Sequence, residues 1–400
     1  MISLESARAH VLGLCGVLPV RRVPLDEALG CSTAEALTSS ESTPPFDNTA
    51  VDGFAVRADD TAGAPVELAV VATLAAGAAP SRAVGPGEAI RIMTGAPIPP
   101  GADAVVMVED TAPVGGPDRV RIDKAAKAGD AVRGAGSDVR AGEVVLAART
   151  ALGAAHLGLL ASIGHRDVPV FGRARVGVLS TGDELVTEDR PLRPGEIRDS
   201  NRTQLLALLG QAGCVPVDLG VVRDDEAAIV AAIQQGVAGC DALLTTGGVS
   251  MGDYDLIKVV LDRIGQMRWM QIAIRPAKPF AFGLVDGTPV FGLPGNPVSS
   301  LVSFELLARP ALRQMMGHVE LDRPRIPAIS DEGLRRRTDG KTHFVRVHGR
   351  FEGDGHLHVR TTGPQGSHQL AATAAANALA VLPDGDGVPA GGVVDALWLS

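Results

Sequence analysis

The sequence predicts an α/β multidomain protein organised around one open, doubly wound sheet, and three observations lead there. The chain has 400 residues, too many for one ordinary core at roughly 150 residues per domain. Between residues 173 and 322, short β-branched-rich runs alternate with helical patterns, as in βαβ units. On both sides of that stretch, short β runs are punctuated by Gly and Pro, the pattern of small β domains.

Residues 1–45 open on Leu4, Ala7, Val11, Leu14 and Leu18 at helical spacing and end at the breaker pair Pro44-Pro45. The apolar run "VLGLCGVLPV" has Glu5 before it, Arg21 and Arg22 after it and no small-residue cleavage pattern, so a packed helix is expected rather than an export signal. Residues 46–141 carry "VELAVVATL" and "ADAVVMVED" between "VGPGEA", "TGAPIPPGAD" and "VGGPDR", which favours a small β domain. Residues 142–172 hold a second helical pattern, "ALGAAHLGLLASIG", expected to return onto residues 1–45 as a discontinuous N-terminal domain.

From residue 173 the period changes. "RVGVLS", "VPVDLGVV", "DALLTT" and "TPVFGL" read as buried strands, and "NRTQLLALLGQAG", "DEAAIVAAIQQGVAG", "DYDLIKVVLDRIG" and "NPVSSLVSFELLARPALRQMMG" as helices on both faces. Residues 323–400 return to β runs, "THFVRVHGR", "HLHVR", "ALAVLP" and "GGVVDALWLS", suggesting a small C-terminal β barrel or sandwich.

Composition narrows the function. With 46% hydrophobic and 21% charged residues the chain can bury proper cores. Aromatics at 3% supply few stacking platforms and a net charge of -9 gives no basic field, so nucleic acid is a poor partner. No run reaches the roughly 18 apolar residues of a membrane span. Cys15, Cys31, Cys214 and Cys240 lie far apart with no CxxC pair and no His at ligand spacing, as expected of reduced thiols in a cytoplasmic protein.

Ligands of a doubly wound sheet lie outside the carboxyl ends of its strands. After "RVGVLS" come Thr181, Gly182, Asp183 and Glu184; after "DLGVV" come Arg223, Asp224 and Asp225; after "DALLTT" come Gly247, Gly248, Ser250 and Gly252, then Asp253 and Asp255; after "VFGL" come Pro294, Gly295, Asn296 and Pro297. Glycines let backbone N–H groups approach an anion, and a helix start adds unsatisfied donors; a tight turn with no ligand would use the same residues. Glu184, Asp224 and Asp255 share this edge; Asp224, Asp225, Asp253 and Asp255 are each equally readable as helix-capping or first-turn acids, while a bound anion among these acids calls for a hard divalent cation such as Mg²⁺ on their oxygens. None of the 9 histidines falls in these loops, which disfavours a His-based triad or zinc site. Arg275 and Lys278, stiffened by Pro276 and Pro279, could reach a charged ligand. Outside this stretch, "PPFDNTAVDGFAV" with Asp47, Asn48, Thr49 and Asp52, and "RIMTGAPIPPGADAVV" with Thr94, are polar turns between β runs. The residues alone go as far as a metal-assisted site for a small phosphate-bearing ligand.

Seven strings in order, "PPFDNTAVDGFAV", "RIMTGAPIPPGADAVVMVED", "GVLSTGDEL", "IRDSN", "TTGGVSMGDYD", "RPAKPFAFG" and "GLPGNPVSS", resemble the MoeA family, the molybdopterin molybdenumtransferases related to the C-terminal part of gephyrin. The resemblance runs from about residue 3 to the C-terminus. It implies a homodimer of four-domain chains: a discontinuous domain I, a β domain II facing the site from the partner subunit, a molybdopterin-binding α/β domain III, and a β-barrel domain IV. It further implies that adenylylated molybdopterin and molybdate react, with a divalent cation such as Mg²⁺, to give molybdenum cofactor and AMP, the pterin coming from the molybdopterin adenylyltransferase.

By the same resemblance, Asp52, Thr94, Asp138, Glu184, Asp224 and Asp255 are the catalytic set, and Glu184, Asp224 and Asp255 also hold the metal. Thr181, Gly182, Ser200, Asn201, Gly247, Gly248, Ser250, Gly252, Arg275, Lys278, Pro294, Gly295, Asn296 and Pro297 bind or shape the substrate site. The chain departs from the family pattern at Ser137 before Asp138, at Arg275 and Ala277 in "RPAKP", and at His368 and Ala371 in "GSHQLAATA". Two other functions compete with the transferase: a molybdopterin-binding scaffold with weak turnover, and a CinA-like hydrolase of nucleotide pyrophosphates. The clustered acids speak against the first, and "PPFDNTAVDGFAV" with the Thr94 loop against the second.

Overall fold

A computed structural model describes residues 1–247 and 256–399. The expected helix covers Leu4–Leu14, capped by Ser3, whose hydroxyl accepts from the Ser6 N–H at 3.1 Å. Helical spacing continues to Leu18, but the helix stops at Leu14, where Gly16 and Pro19 follow and residues 20–24 become the strand Val20–Pro24. Its buried face, Ala7 and Val11, packs into the core of the α/β unit. The rest of residues 1–45 is extended rather than helix-rich. Val20–Pro24 pairs antiparallel with Asp167–Phe171, and Leu37–Thr38 with Val144–Leu146, so residues 142–172 share a core with Ala28, Cys31 and Leu37.

Residues 46–141 form a six-stranded sheet, ordered Ala104–Met107, Gly53–Val56, Glu88–Ile92, Val66–Leu74, Arg119–Ile122, Thr111–Pro113. In the α/β unit, Val215–Val222, Arg175–Thr181, Ala242–Thr246 and Thr288–Leu293 lie side by side and parallel. An antiparallel pair, Pro279–Val285 and Gln266–Gln271, extends the edge. Side-chain alternation feeds two cores. Val178 and Leu244 meet Leu205 and Leu209 on one face. Leu179 and Leu243 meet Ile229, Ile233 and Val260 on the other.

The pattern at "NPVSSLVSFELLARPALRQMMG" divides into Pro297–Ser303, a π-helical turn Phe304–Ala308 and Arg309–Met315. Pro310 explains the interruption, since it has no N–H for the carbonyl four residues back. That carbonyl, on Leu306, accepts from Arg8 Nη1 at 2.8 Å instead. Beyond residue 323, Thr342–Phe351, Leu357–Thr361, Arg325–Ser330, Val393–Trp398 and Ala378–Leu382 close into a five-stranded barrel, the last strand pairing back to the first. Among the described residues no helix is long and apolar enough to cross a membrane.

Candidate functional site

The carboxyl ends of Arg175–Thr181, Ala242–Thr246 and Thr288–Leu293 converge on a cleft of about 90 Å³ lined by Thr181, Glu184, Ser200, Asn201, Thr246, Gly247, Gly295 and Pro297. Two glycines make the close approach possible. Gly247 has φ +95°, and a Cβ there would sit 3.0 Å from the Thr181 carbonyl oxygen. Gly182 has φ +147°, and a Cβ would collide with the Glu184 carboxylate. Asn201 joins the loops: its Nδ2 donates to Thr246 Oγ1 and to the Gly295 carbonyl, both at 2.7 Å. Pro294 is buried, and Asn296 and Pro297 begin the helix Pro297–Ser303.

The acids of this edge divide by role. Asp225 caps Glu226–Gly239, accepting from the Ala228 N–H at 2.8 Å. Asp183 accepts from the Asp224 N–H at 3.3 Å. That leaves the carboxylates of Glu184 and Asp224 with no hydrogen-bond or ion-pair partner among the described residues. No group of three His, Cys, Asp or Glu gathers at metal-ligating spacing among the described residues. Asp255, the third expected ligand, lies outside the described residues, as do Gly248, Ser250, Gly252 and Asp253. Of the two free carboxylates, Glu184 lines the cleft, and a carboxylate is an oxygen donor of the kind a hard cation takes.

Asp199 and Arg202 were missed in the sequence, although they flank Ser200-Asn201 in "IRDSNR". The Asp199 carboxylate accepts from Arg202 Nε at 2.9 Å, and Arg202 also reaches Asp218 on Val215–Val222. An acid and a base three residues apart at a helix start was the available signal.

Arg275 and Lys278 stand apart from the cleft. Ile274–Arg275 joins the barrel sheet, with Arg275 opposite His343. There it lines a cavity of about 870 Å³ together with Arg335, Arg337 and Arg346. Arg346 is 1% exposed, yet its donors go only to neutral acceptors, Gln365, Pro364, Gln369 and Thr373. Burial holds its pKa below the ordinary guanidinium value; with no acid paired to it among the described residues, and Asp339 of the same cavity paired with Arg336, the arginines leave the cavity electropositive. Lys278 is exposed, and its carbonyl accepts from the Ile272 N–H.

In the β unit, Asp52 and Thr94 meet directly. Asp52 Oδ1 accepts from the Thr94 backbone N–H at 2.7 Å and from its hydroxyl at 2.8 Å. These two bonds, the backbone one foremost, hold the Asp52 carboxyl below its ordinary pKa. Asp138 is exposed on a neighbouring loop, its N–H bonded to the Thr43 carbonyl at 3.0 Å. Asp47 Oδ1 steadies that loop through the Ala135 N–H at 2.7 Å. Among the described residues no hydrogen bond or ion pair joins residues 46–141 to the cleft, so one chain brings together Asp52 with Thr94, and separately Thr181, Glu184, Asn201, Gly247 and Gly295.

Residues 2–164 match the MoeA N-terminal region (domain I and II), residues 177–314 a probable molybdopterin binding domain, and residues 335–399 the MoeA C-terminal region (domain IV). The chain is 37% identical over 385 residues to a molybdopterin molybdenumtransferase of Haemophilus influenzae, covering 96% of this chain and 94% of the relative. It is 40% identical over 375 residues to molybdopterin molybdenumtransferase 2 of Mycobacterium tuberculosis, covering 90% of each. The crystal structure of a molybdopterin biosynthesis MoeA protein from Pyrococcus horikoshii matches with a TM-score of 0.83 at 30% identity, covering 100% of both chains. Three matched regions in order and relatives this similar along nearly the whole length lead to one conclusion: the chain belongs to the MoeA family of molybdopterin molybdenumtransferases.

Proposed function

We propose that this protein is a transferase of molybdenum cofactor biosynthesis that inserts molybdate into adenylylated molybdopterin and releases molybdenum cofactor and AMP. Its relatives are named for molybdopterin molybdenum transfer. The observation that carries the proposal is the strand-end cleft, where Glu184, with no hydrogen-bond or ion-pair partner among the described residues, stands beside Gly247 and Gly295. A scaffold has no use for such an acid in its binding cleft. A hydrolase built on the α/β unit alone leaves the matched regions on either side of it unexplained.

Glu184 and Asp224, with Asp255, would hold Mg²⁺, which when bound neutralises and orients the phosphate charge. The other tasks belong to the chain's own residues. Gly247 and Gly295 let the substrate lie against the backbone, and Asn201 keeps their two loops at fixed separation. Asp52, whose carboxyl Thr94 holds below its ordinary pKa, orients groups as an anion. The electropositive cavity of Arg275 and Arg346 suits an oxyanion, which is the role proposed for Arg275. Because Asp52 and Thr94 are not bonded to the cleft of their own chain, we place them in the site of a partner copy within a homodimer. The molybdopterin adenylyltransferase is proposed as the delivering partner, and the cytoplasm as the compartment. Four free cysteines suit such a reducing setting.

The test is AMP release from adenylylated molybdopterin by the purified protein with Mg²⁺, with and without molybdate. Molybdate-dependent AMP with active cofactor is expected. Tight binding without AMP would favour the scaffold, and AMP release indifferent to molybdate the hydrolase.

A further inference from the structure

Residues 199–202 tie together all four parallel strands. The Asp199 side chain is 2% exposed and accepts from Ser180 Oγ at 3.3 Å, from the Arg202 backbone N–H at 3.2 Å and from Arg202 Nε at 2.9 Å. Arg202 continues to Asp218. Ser180 belongs to Arg175–Thr181 and Asp218 to Val215–Val222, while Asn201 reaches Thr246, the last residue of Ala242–Thr246, and Gly295, just after Thr288–Leu293.

Among the described residues, Asn201 is left with one unused group. The Gly295 carbonyl can only accept, so the amide nitrogen must face it, and the orientation of the side chain is settled. Oδ1 is then buried with no partner among the described residues, on a residue 8% exposed that lines the cleft. A buried acceptor without a donor is a standing cost that a ligand N–H would remove. Phosphate and molybdate present oxygens, which would face Oδ1 acceptor to acceptor. An aminopyrimidine edge presents donors.

We infer that Asn201 Oδ1 receives an N–H of the substrate's heterocycle, and that Asp199 is the positioning residue that holds Asn201 in place for it. This rests on adenylylated molybdopterin being the ligand. The N–H edge could come from its pterin or from its adenine, so the fragments are tested apart.

Binding of adenylylated molybdopterin, of molybdopterin and of AMP is measured on wild type, Asn201→Ala, Asp199→Ala and Asp199→Asn, together with Tm. Losing one satisfied hydrogen bond should weaken adenylylated molybdopterin about tenfold in Asn201→Ala, and the fragment that weakens with it names the source. Asp199→Ala should follow in the same direction, raising KM for the pterin substrate and leaving KM for molybdate unchanged. Asp199→Asn keeps an acceptor for Ser180 and should recover most of the loss, which also tests the idea if Asn201→Ala folds poorly. A purely structural role would lower Tm while the folded protein binds as wild type does, and that result overturns the inference. If wild type itself fails to bind adenylylated molybdopterin, the proposed function falls and this inference with it; wild-type binding with unaffected variants overturns the inference alone.

Discussion

Asp52 is kept ionised by donors from a single residue, and that has a testable sign. Its folded pKa lies below the ordinary value because Thr94 donates twice to the carboxylate. A lowered folded pKa contributes stability that is present above the unfolded value and lost as pH falls through the folded one. Thr94→Val removes the hydroxyl donor, so the Asp52 titration should move up towards the ordinary value, as read by carboxyl ¹³C shifts. Glu184 poses the opposite case, a carboxylate with no described partner to lose. Glu184→Gln should therefore leave Tm close to wild type while lowering molybdate-dependent AMP release by about a hundredfold, the scale of a lost preorganised electrostatic contact. A near-normal rate would remove Glu184 from the mechanism.

At the scale of elements, two joints decide where the site sits. Gly247 turns the chain off Ala242–Thr246 at φ +95°, against the Thr181 carbonyl. Gly247→Ala should cost about 1–2 kcal/mol from the left-handed backbone alone, and the added Cβ at 3.0 Å should move the loop enough to impair turnover. The second joint is the π-helical turn at Phe304–Ala308, where Arg8 supplies the donor that Pro310 lacks. Arg8→Ala leaves the Leu306 carbonyl unmet and breaks the pair with Asp322. Denaturant unfolding should show a loss of about 1–3 kcal/mol, with the cleft residues untouched.

For the whole molecule, the separation of Asp52 and Thr94 from the strand-end cleft is the feature with most consequence. If the site is shared between two copies, an Asp52→Asn chain and a Glu184→Gln chain are each inactive alone and complement when mixed. A mixed dimer holds one site with both residues intact, so random exchange should restore about a quarter of wild-type activity in a two-fold dimer. No recovery on mixing would return the site to a single chain.

The strand-end loops were legible because periodicity marks a parallel strand, and the residues after it must lie at the ligand edge: Thr181, Glu184, Asp224, Gly247 and Gly295 follow from that rule. Which of Asp224 and Asp225 caps the helix was not legible, since adjacent acids before a helix look alike until one of them meets an N–H. Helical spacing likewise ran through "NPVSSLVSFELLARPALRQMMG" as one helix, and the interruption at Pro310 became visible only with Arg8, some three hundred residues earlier, set against it. Local pattern determined the elements, the open sheet and the acid-bearing loops, because these depend on neighbours in the chain. Tertiary structure decided that Arg275 joins the barrel cavity, that Asp199 and Asn201 tie four strands, and that Asp52 pairs with Thr94, because each depends on a contact between residues far apart in sequence.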